Sequence, residues 1–264
     1  HHERWPAFDE AVGALEPRTV TAWLPVNAFA EAELPVLYMH DGQNLFSPDA
    51  FFGGWQVSAQ LEAAIADGTL PPLVVIGIDN TSARFEEYTP VTDVLDGMRV
   101  GGRADEYADF LVLGVKPFME ARYPVSQDPS LVGTMGSSLG GLVSLYLGLR
   151  HPDVFGQVAS MSGTIDWGTI GASNPTIIDL YEQDPPPLGL RIYVDSGGDE
   201  GTGCPGDGSD NYCGNVAFAE LLRGAGWQDE VDLFYRWDPG AQHNEAEWAA
   251  RLLPALVDWF PTSG

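Results

Sequence analysis

The chain has 264 residues, 44% of them apolar, which is enough to close a sizeable core and excludes a disordered protein. Its 12 Lys and Arg stand against 38 Asp and Glu, a formal net charge of -26, so nucleic-acid phosphates and anionic membrane surfaces are excluded as partners. Only 19% of residues are charged and Lys116 is the sole lysine, so the acidity is a shortage of bases; it reads equally as a high-salt or acidic habitat and as a compositional bias of the source.

In chain order, His1 and His2 read as the remnant of a purification tag within an N-terminal extension, residues 1–17. Strands are predicted at 18–24, 35–40, 73–78, 131–136, 157–162, 191–195 and 231–236, several of them apolar throughout, as parallel strands covered on both faces are. Helical spacing predicts helices from Val57, Ala104, Ser138, Asn215 and Glu245, with 183–189 as a proline-rich surface connection. The alternation predicts a single α/β domain over 1–264, a mostly parallel sheet with helices on both faces and functional residues just after the strands. No apolar run reaches the ~18 residues that cross a bilayer, so the chain reads as soluble.

The sharpest chemical signal is GSSLG, Gly136 to Gly140, between an apolar run and a helical one. This G-x-S-x-G pattern in a strand-turn-helix setting makes Ser138 a candidate nucleophile on a tight turn, against the plainer reading of a helix N-cap. The amide of Leu139 then sits at a helix N-terminus, where it would stabilise an oxyanion.

A serine hydroxyl needs a general base, and in such an architecture the histidine comes last in the chain. His243, in DPGAQHNEAEW between the last strand and last helix, is the candidate. His151 is explained by its place at a helix C-terminus, and His40, ending a strand, is expected to shape the site without acting as the base. The orienting carboxylate is sought in DSGGDEG after the strand ending at Asp195. Asp199 and Glu200 are adjacent there, with Asp195 ranked third, and in so acidic a chain no single carboxylate stands out. HDGQNLF at 40–46 follows an early strand, so Gly42 is expected to allow a sharp turn, the Gln43 amide to be the second oxyanion donor, and Asp41 to touch substrate or brace the loop. Phe46, Trp55 and Trp167 are candidates for an acyl or aryl wall, or for core packing.

The ordered blocks YMHDGQNLF, PPLVVIGIDN, EEYTP, GSSLGGLVSLYLGLRHPDVFG, RIYVDSGGDEG and DPGAQHNEAEWAARLLPAL, from about Arg18 to Phe260, resemble the family that includes esterase D and the enterochelin esterases, most of all bacterial members with an HDGQN segment. The resemblance implies an α/β-hydrolase fold without a large lid domain, hydrolysis of carboxylic esters and no cofactor. It implies Ser138 as nucleophile, His243 as base, Gln43 and Leu139 as oxyanion donors and, from the family's G-T-x-E loop, Glu200 as the acid, with Asp199 the alternative. The substrate would be a small or polymeric ester of short-chain, aryl, feruloyl or polyester type. An acyltransferase using the same acyl-enzyme and an inactive binding fold are the alternative functions.

One segment departs from the resemblance. Cys204 and Cys213 bracket an insertion at 201–214, where a disulfide would suit a secreted or periplasmic protein. Asp207, Asp210 and Asn211 crowd the same loop and are a weak calcium candidate; a solvated loop is the plainer reading, and no metal is expected.

Overall fold

Apolar strand runs can lie side by side only if both faces of the sheet are covered, and here they are. The computed structural model describes residues 1–8, 15–30, 33–50, 53–199, 204 and 209–260. Its strands are β1 (His2–Phe8), β2 (Arg18–Trp23), β3 (Val36–His40), β4 (Val74–Ile78), β5 (Thr92–Leu95), β6 (Met98–Gly101), β7 (Val132–Ser137), β8 (Gln157–Met161), β9 (Arg191–Ser196) and β10 (Leu233–Trp237). Eight of them form one sheet in the order β1-β2-β4-β3-β7-β8-β9-β10. Antiparallel pairing joins β1 to β2 and β2 to β4; the pairs from β4 to β10 are parallel.

The helices are α1 (Val57–Ala66), α2 (Arg84–Glu87), α3 (Ala104–Asp109), α4 (Lys116–Glu120), α5 (Leu139–Arg150), α6 (Ile177–Gln183), α7 (Tyr212–Ala225) and α8 (Glu245–Trp259). Side chains alternate across the central strands. In β3, Val36 and Tyr38 enter one core while Leu37 and Met39 enter the other; in β4, Ile76 and Val75 divide in the same way. The first core packs beneath α5, which is buried from Leu139 to Gly148, and the second beneath α1 and α8. This is the α/β-hydrolase arrangement, with the carboxyl ends of the parallel strands forming one functional rim.

Several elements depart from the sequence expectation. The N-terminal extension contains β1, whose exposed, proline-containing HERWPAF suits the edge of a sheet. The hairpin β5–β6 turns through Asp96 and Gly97, both at positive φ, and this Asp-Gly pair was the available signal for it. The helix expected from Ala104 runs through a π-helical stretch, Phe110–Val115, before α4. Among the described residues, no helix is long and apolar enough to cross a membrane.

Candidate active site

Ser138 joins β7 to α5 in a strained conformation, φ 57 and ψ -122, outside the regions open to an ordinary L-residue. The strain is held from several sides. Its N–H donates to Met161 O at 2.9 Å, and its carbonyl accepts from Leu142 N at 3.1 Å and Thr164 N at 3.2 Å. The first glycine of GSSLG is required by proximity: a Cβ on Gly136 would lie 2.7 Å from the carbonyl carbon and oxygen of Gly140. Strand and helix therefore meet backbone to backbone, which lifts Ser138 onto the rim.

His243 stands in the loop between β10 and α8. Asn244 caps α8 by accepting from Ala246 N and Glu247 N, which fixes the loop, and the His243 ring stands edge-on to Trp248 at 4.8 Å. Its Nδ1 lies 2.7 Å from Asp210 Oδ1. A carboxylate only accepts, so Nδ1 carries the proton and Nε2 is left as the basic nitrogen. Ser138 and His243 line one cavity of about 440 Å³.

The carboxylate that meets His243 is thus Asp210, which corrects the expectation of Asp199. Asp199 is exposed and its N–H donates to Ser209 Oγ. Glu200 lies outside the described residues, as does Asp207. Asp210 and Asn211 are both left-handed, at φ 56 and φ 59, and bond to Ser162 and Gly197, just after β8 and β9. The disulfide Cys204–Cys213 closes that loop, with Cα atoms 5.5 Å apart. The weak calcium reading of Asp210 is also corrected, because both its oxygens are committed: Oδ1 to His243, Oδ2 to the Ser162 hydroxyl at 2.6 Å and to Gly197 N at 2.5 Å. Burial pushes its carboxyl up, but these bonds outweigh burial and hold it below the usual range.

Ser162 accepts from Trp248 Nε1 at 2.9 Å and from Arg251 Nη2 at 2.8 Å, so its own proton is directed to Asp210. Arg251 also pairs with Asp195, whose carboxyl is pushed up to about 6 by burial, against the pull of the guanidinium. Asp195, third among the acid candidates, therefore belongs to the layer beneath the site. Ser162 and Arg251 escaped the sequence reading. An arginine on the otherwise apolar stripe Trp248, Leu252, Ala255, Leu256 and Trp259 was the signal of a buried acidic partner.

Gln43 lies in a single 3-10 turn, Gly42–Asn44, and Leu139 opens α5; first-turn amides have no acceptor within their own helix, and Gln43 and Ser138 line the same cavity. The sharp turn comes from Asp41, at φ 58, and not from Gly42, whose Cβ would instead meet Gly77 C at 2.8 Å. Asp41 is gripped by Arg84 through two 2.8 Å bonds and by Asn80. His40 is buried between Tyr107 OH at 2.8 Å and Thr134 Oγ1 at 3.1 Å, and burial pushes its ring down to about 3, so it stays neutral.

Of the aromatic candidates, Trp55 lines the large cavity with Trp248 and Glu245. Trp167 lines a second cavity of about 250 Å³ on the rim, which also contains Ser138, His243, Phe85, Leu95 and Ile170. Phe46 lines neither; it faces a separate cavity with His2 and Arg4.

The family profile described as "Putative esterase" matches residues 15–259. The uncharacterized protein YbbA of Bacillus subtilis is 31% identical over 188 residues, which are 70% of this chain and 69% of that one. The iron(III) salmochelin esterase of Escherichia coli O6:H1 is 30% identical over 168 residues, 60% of this chain and 38% of that protein. Among solved structures, a ferulic acid esterase superposes with TM-score 0.72 at 19% identity, covering 100% of this chain and 98% of that one, a likeness of fold.

Proposed function

Since this chain belongs to the esterase family and is a carboxylesterase-type hydrolase, we propose that Ser138, His243 and Asp210 are its catalytic triad and that it cleaves carboxylic esters through an acyl-enzyme. The observation that carries this reading is the 2.7 Å bond from His243 Nδ1 to Asp210, beside a strained Ser138 on the same cavity. His243 Nε2 takes the hydroxyl proton as Ser138 Oγ attacks the ester carbonyl, and the amides of Gln43 and Leu139 receive the oxyanion. Collapse of the tetrahedral adduct breaks the ester C–O bond, and His243 returns the proton to the departing alcohol. Water then attacks the acyl-serine, losing its proton to His243; the bond to Ser138 Oγ breaks, His243 returns the proton to that oxygen, and the carboxylic acid leaves.

The cavity walled by Phe85, Leu95, Trp167 and Ile170 favours an aryl or short aliphatic group on one side of the scissile bond. Phe85 and Ile170 remain 46% and 54% exposed, which apolar surface tolerates best when a ligand covers it. The disulfide supports an oxidising compartment, secreted or periplasmic. A fluorophosphonate probe and p-nitrophenyl butyrate test the reading. The wild type should be labelled and turn over, and Ser138→Ala and His243→Ala should lose turnover while keeping their circular dichroism; turnover retained in either overturns it.

A further inference from the structure

We propose that the larger cavity beside Ser138 binds a singly positive group of the substrate, an ammonium, between the carboxylate of Glu245 and the rings of Trp55 and Trp248. The inference deepens the ester-hydrolase reading and rests on it for the identity of the reacting centre. It starts from the charges in the cavity. Asp41 and Arg84 cancel through their paired bonds. Asp210 is committed to His243, Ser162 and the Gly197 amide.

Glu245 is left over. It is 8% exposed, forms no ion pair among the described residues, and accepts a long bond, 3.3 Å from Asn44 Nδ2 to Oε1, besides one from its own backbone N–H. Burial pushes its carboxyl up from the usual range, against the pull of its own backbone N–H at the start of α8 and of His243 and Arg84 nearby, so its charge is poorly compensated in the cleft as it stands. A carboxylate withdrawn from water without a cation is costly, and the deficit is removed by a positive ligand entering the cleft.

The surrounding walls suit the same ligand. Trp55 and Trp248 both line the cavity with ring centroids 6.2 Å apart, and the small part of each ring that faces it is π surface for a cation. The net charge of -26 raises the local concentration of cations and lowers that of anions. The second cavity at Ser138 has no carboxylate in its lining, and its arginine, Arg84, is already paired with Asp41. A substrate spanning both sides carries an uncharged apolar group at one end and a cation at the other, and an ester bearing a free carboxylate in the Glu245 cavity is repelled.

The test is competitive inhibition of p-nitrophenyl butyrate hydrolysis by benzyltrimethylammonium, benzyl alcohol and benzoate, which does not require knowing which side of the ester carries the charge. The cation should bind about tenfold more tightly than the alcohol, with benzoate weakest. Glu245→Gln should abolish the preference of cation over alcohol, and raising the salt concentration should shrink it in the wild type. Equal inhibition constants for cation and alcohol, or a preference that survives in Glu245→Gln or at high salt, overturns the proposal. Absence of any turnover would refute the hydrolase reading instead, and titration of tryptophan fluorescence with the same cation would then still read the cavity alone.

Discussion

Asparagine at position 210 changes one atom and, on this geometry, reverses the direction of a hydrogen bond. Oδ2 of Asp210 receives the Ser162 hydroxyl and the Gly197 N–H. The hydroxyl cannot turn round, because Trp248 and Arg251 already donate to the Ser162 oxygen. In Asp210→Asn the amide oxygen must therefore occupy the Oδ2 position, and the NH2 faces His243 Nδ1. Nδ1 becomes an acceptor, the ring proton moves to Nε2, and the imidazole can no longer take the proton of Ser138. The cost expected for a wrong tautomer in a serine triad is about 10⁴ in kcat, or ~5 kcal/mol of transition-state stabilisation, with little change in KM. Turnover of p-nitrophenyl butyrate by Asp210→Asn and Asp199→Asn measures it. Asp199→Asn should stay within about twofold of wild type, since Asp199 is exposed. Retention by Asp210→Asn of more than about a tenth of kcat, or an equal loss in Asp199→Asn, would refute the reasoning.

Gly136→Ala would drive a Cβ into the backbone of Gly140 at 2.7 Å, where no side chain can give way; urea unfolding should show a loss of at least about 3 kcal/mol, or no folded protein. Asp79 is pushed up to about 6, by burial first, so its neutral form is favoured in the folded state: its contribution to stability is full below pH ~4 and is lost as pH rises through about 6. Asp79→Asn should accordingly raise Tm at pH 7 and leave it unchanged at pH 4; a gain of equal size at both pH values would exclude the titration as its cause. Reduction of Cys204–Cys213, or replacing both cysteines with serine, should cost about 2–3 kcal/mol from the short loop it closes and lower kcat as well, because the loop carries Asp210. Stability lost with kcat unchanged would show that Asp210 holds its place without the bridge.

Much of the fold could be read locally. The parallel strands are continuous apolar runs because both faces are buried, and α8 announces itself through a regular apolar stripe. Elements whose cues are weak or brief were harder: β1 is a charged edge strand, and β5 and β6 are four residues each, signalled mainly by their Asp-Gly turn. Ser138 was legible because its whole setting of strand, tight turn, helix and flanking glycines lies within one short segment. His243 was legible from chain order and from its place between the last strand and the last helix.

The acid was not. Asp210 becomes His243's partner because Ser162, Gly197 and Arg251 grip its second oxygen, just before a helix tied by a disulfide. Those groups come from three distant segments, so no pattern of residues near Asp210 distinguishes it from the other acids of the chain. The charge on Glu245 is of the same kind: composition gave an acidic protein, while the packing of α8 against the rim decided that one carboxylate is withdrawn from water beside the nucleophile. Sequence alone determined what is fixed by neighbours along the chain, namely the parallel strands, the tight turn at Ser138 and the loop that holds His243. Tertiary structure decided what depends on neighbours in space, because hydrogen bonding and desolvation act over a few ångströms however far apart the partners lie in the chain.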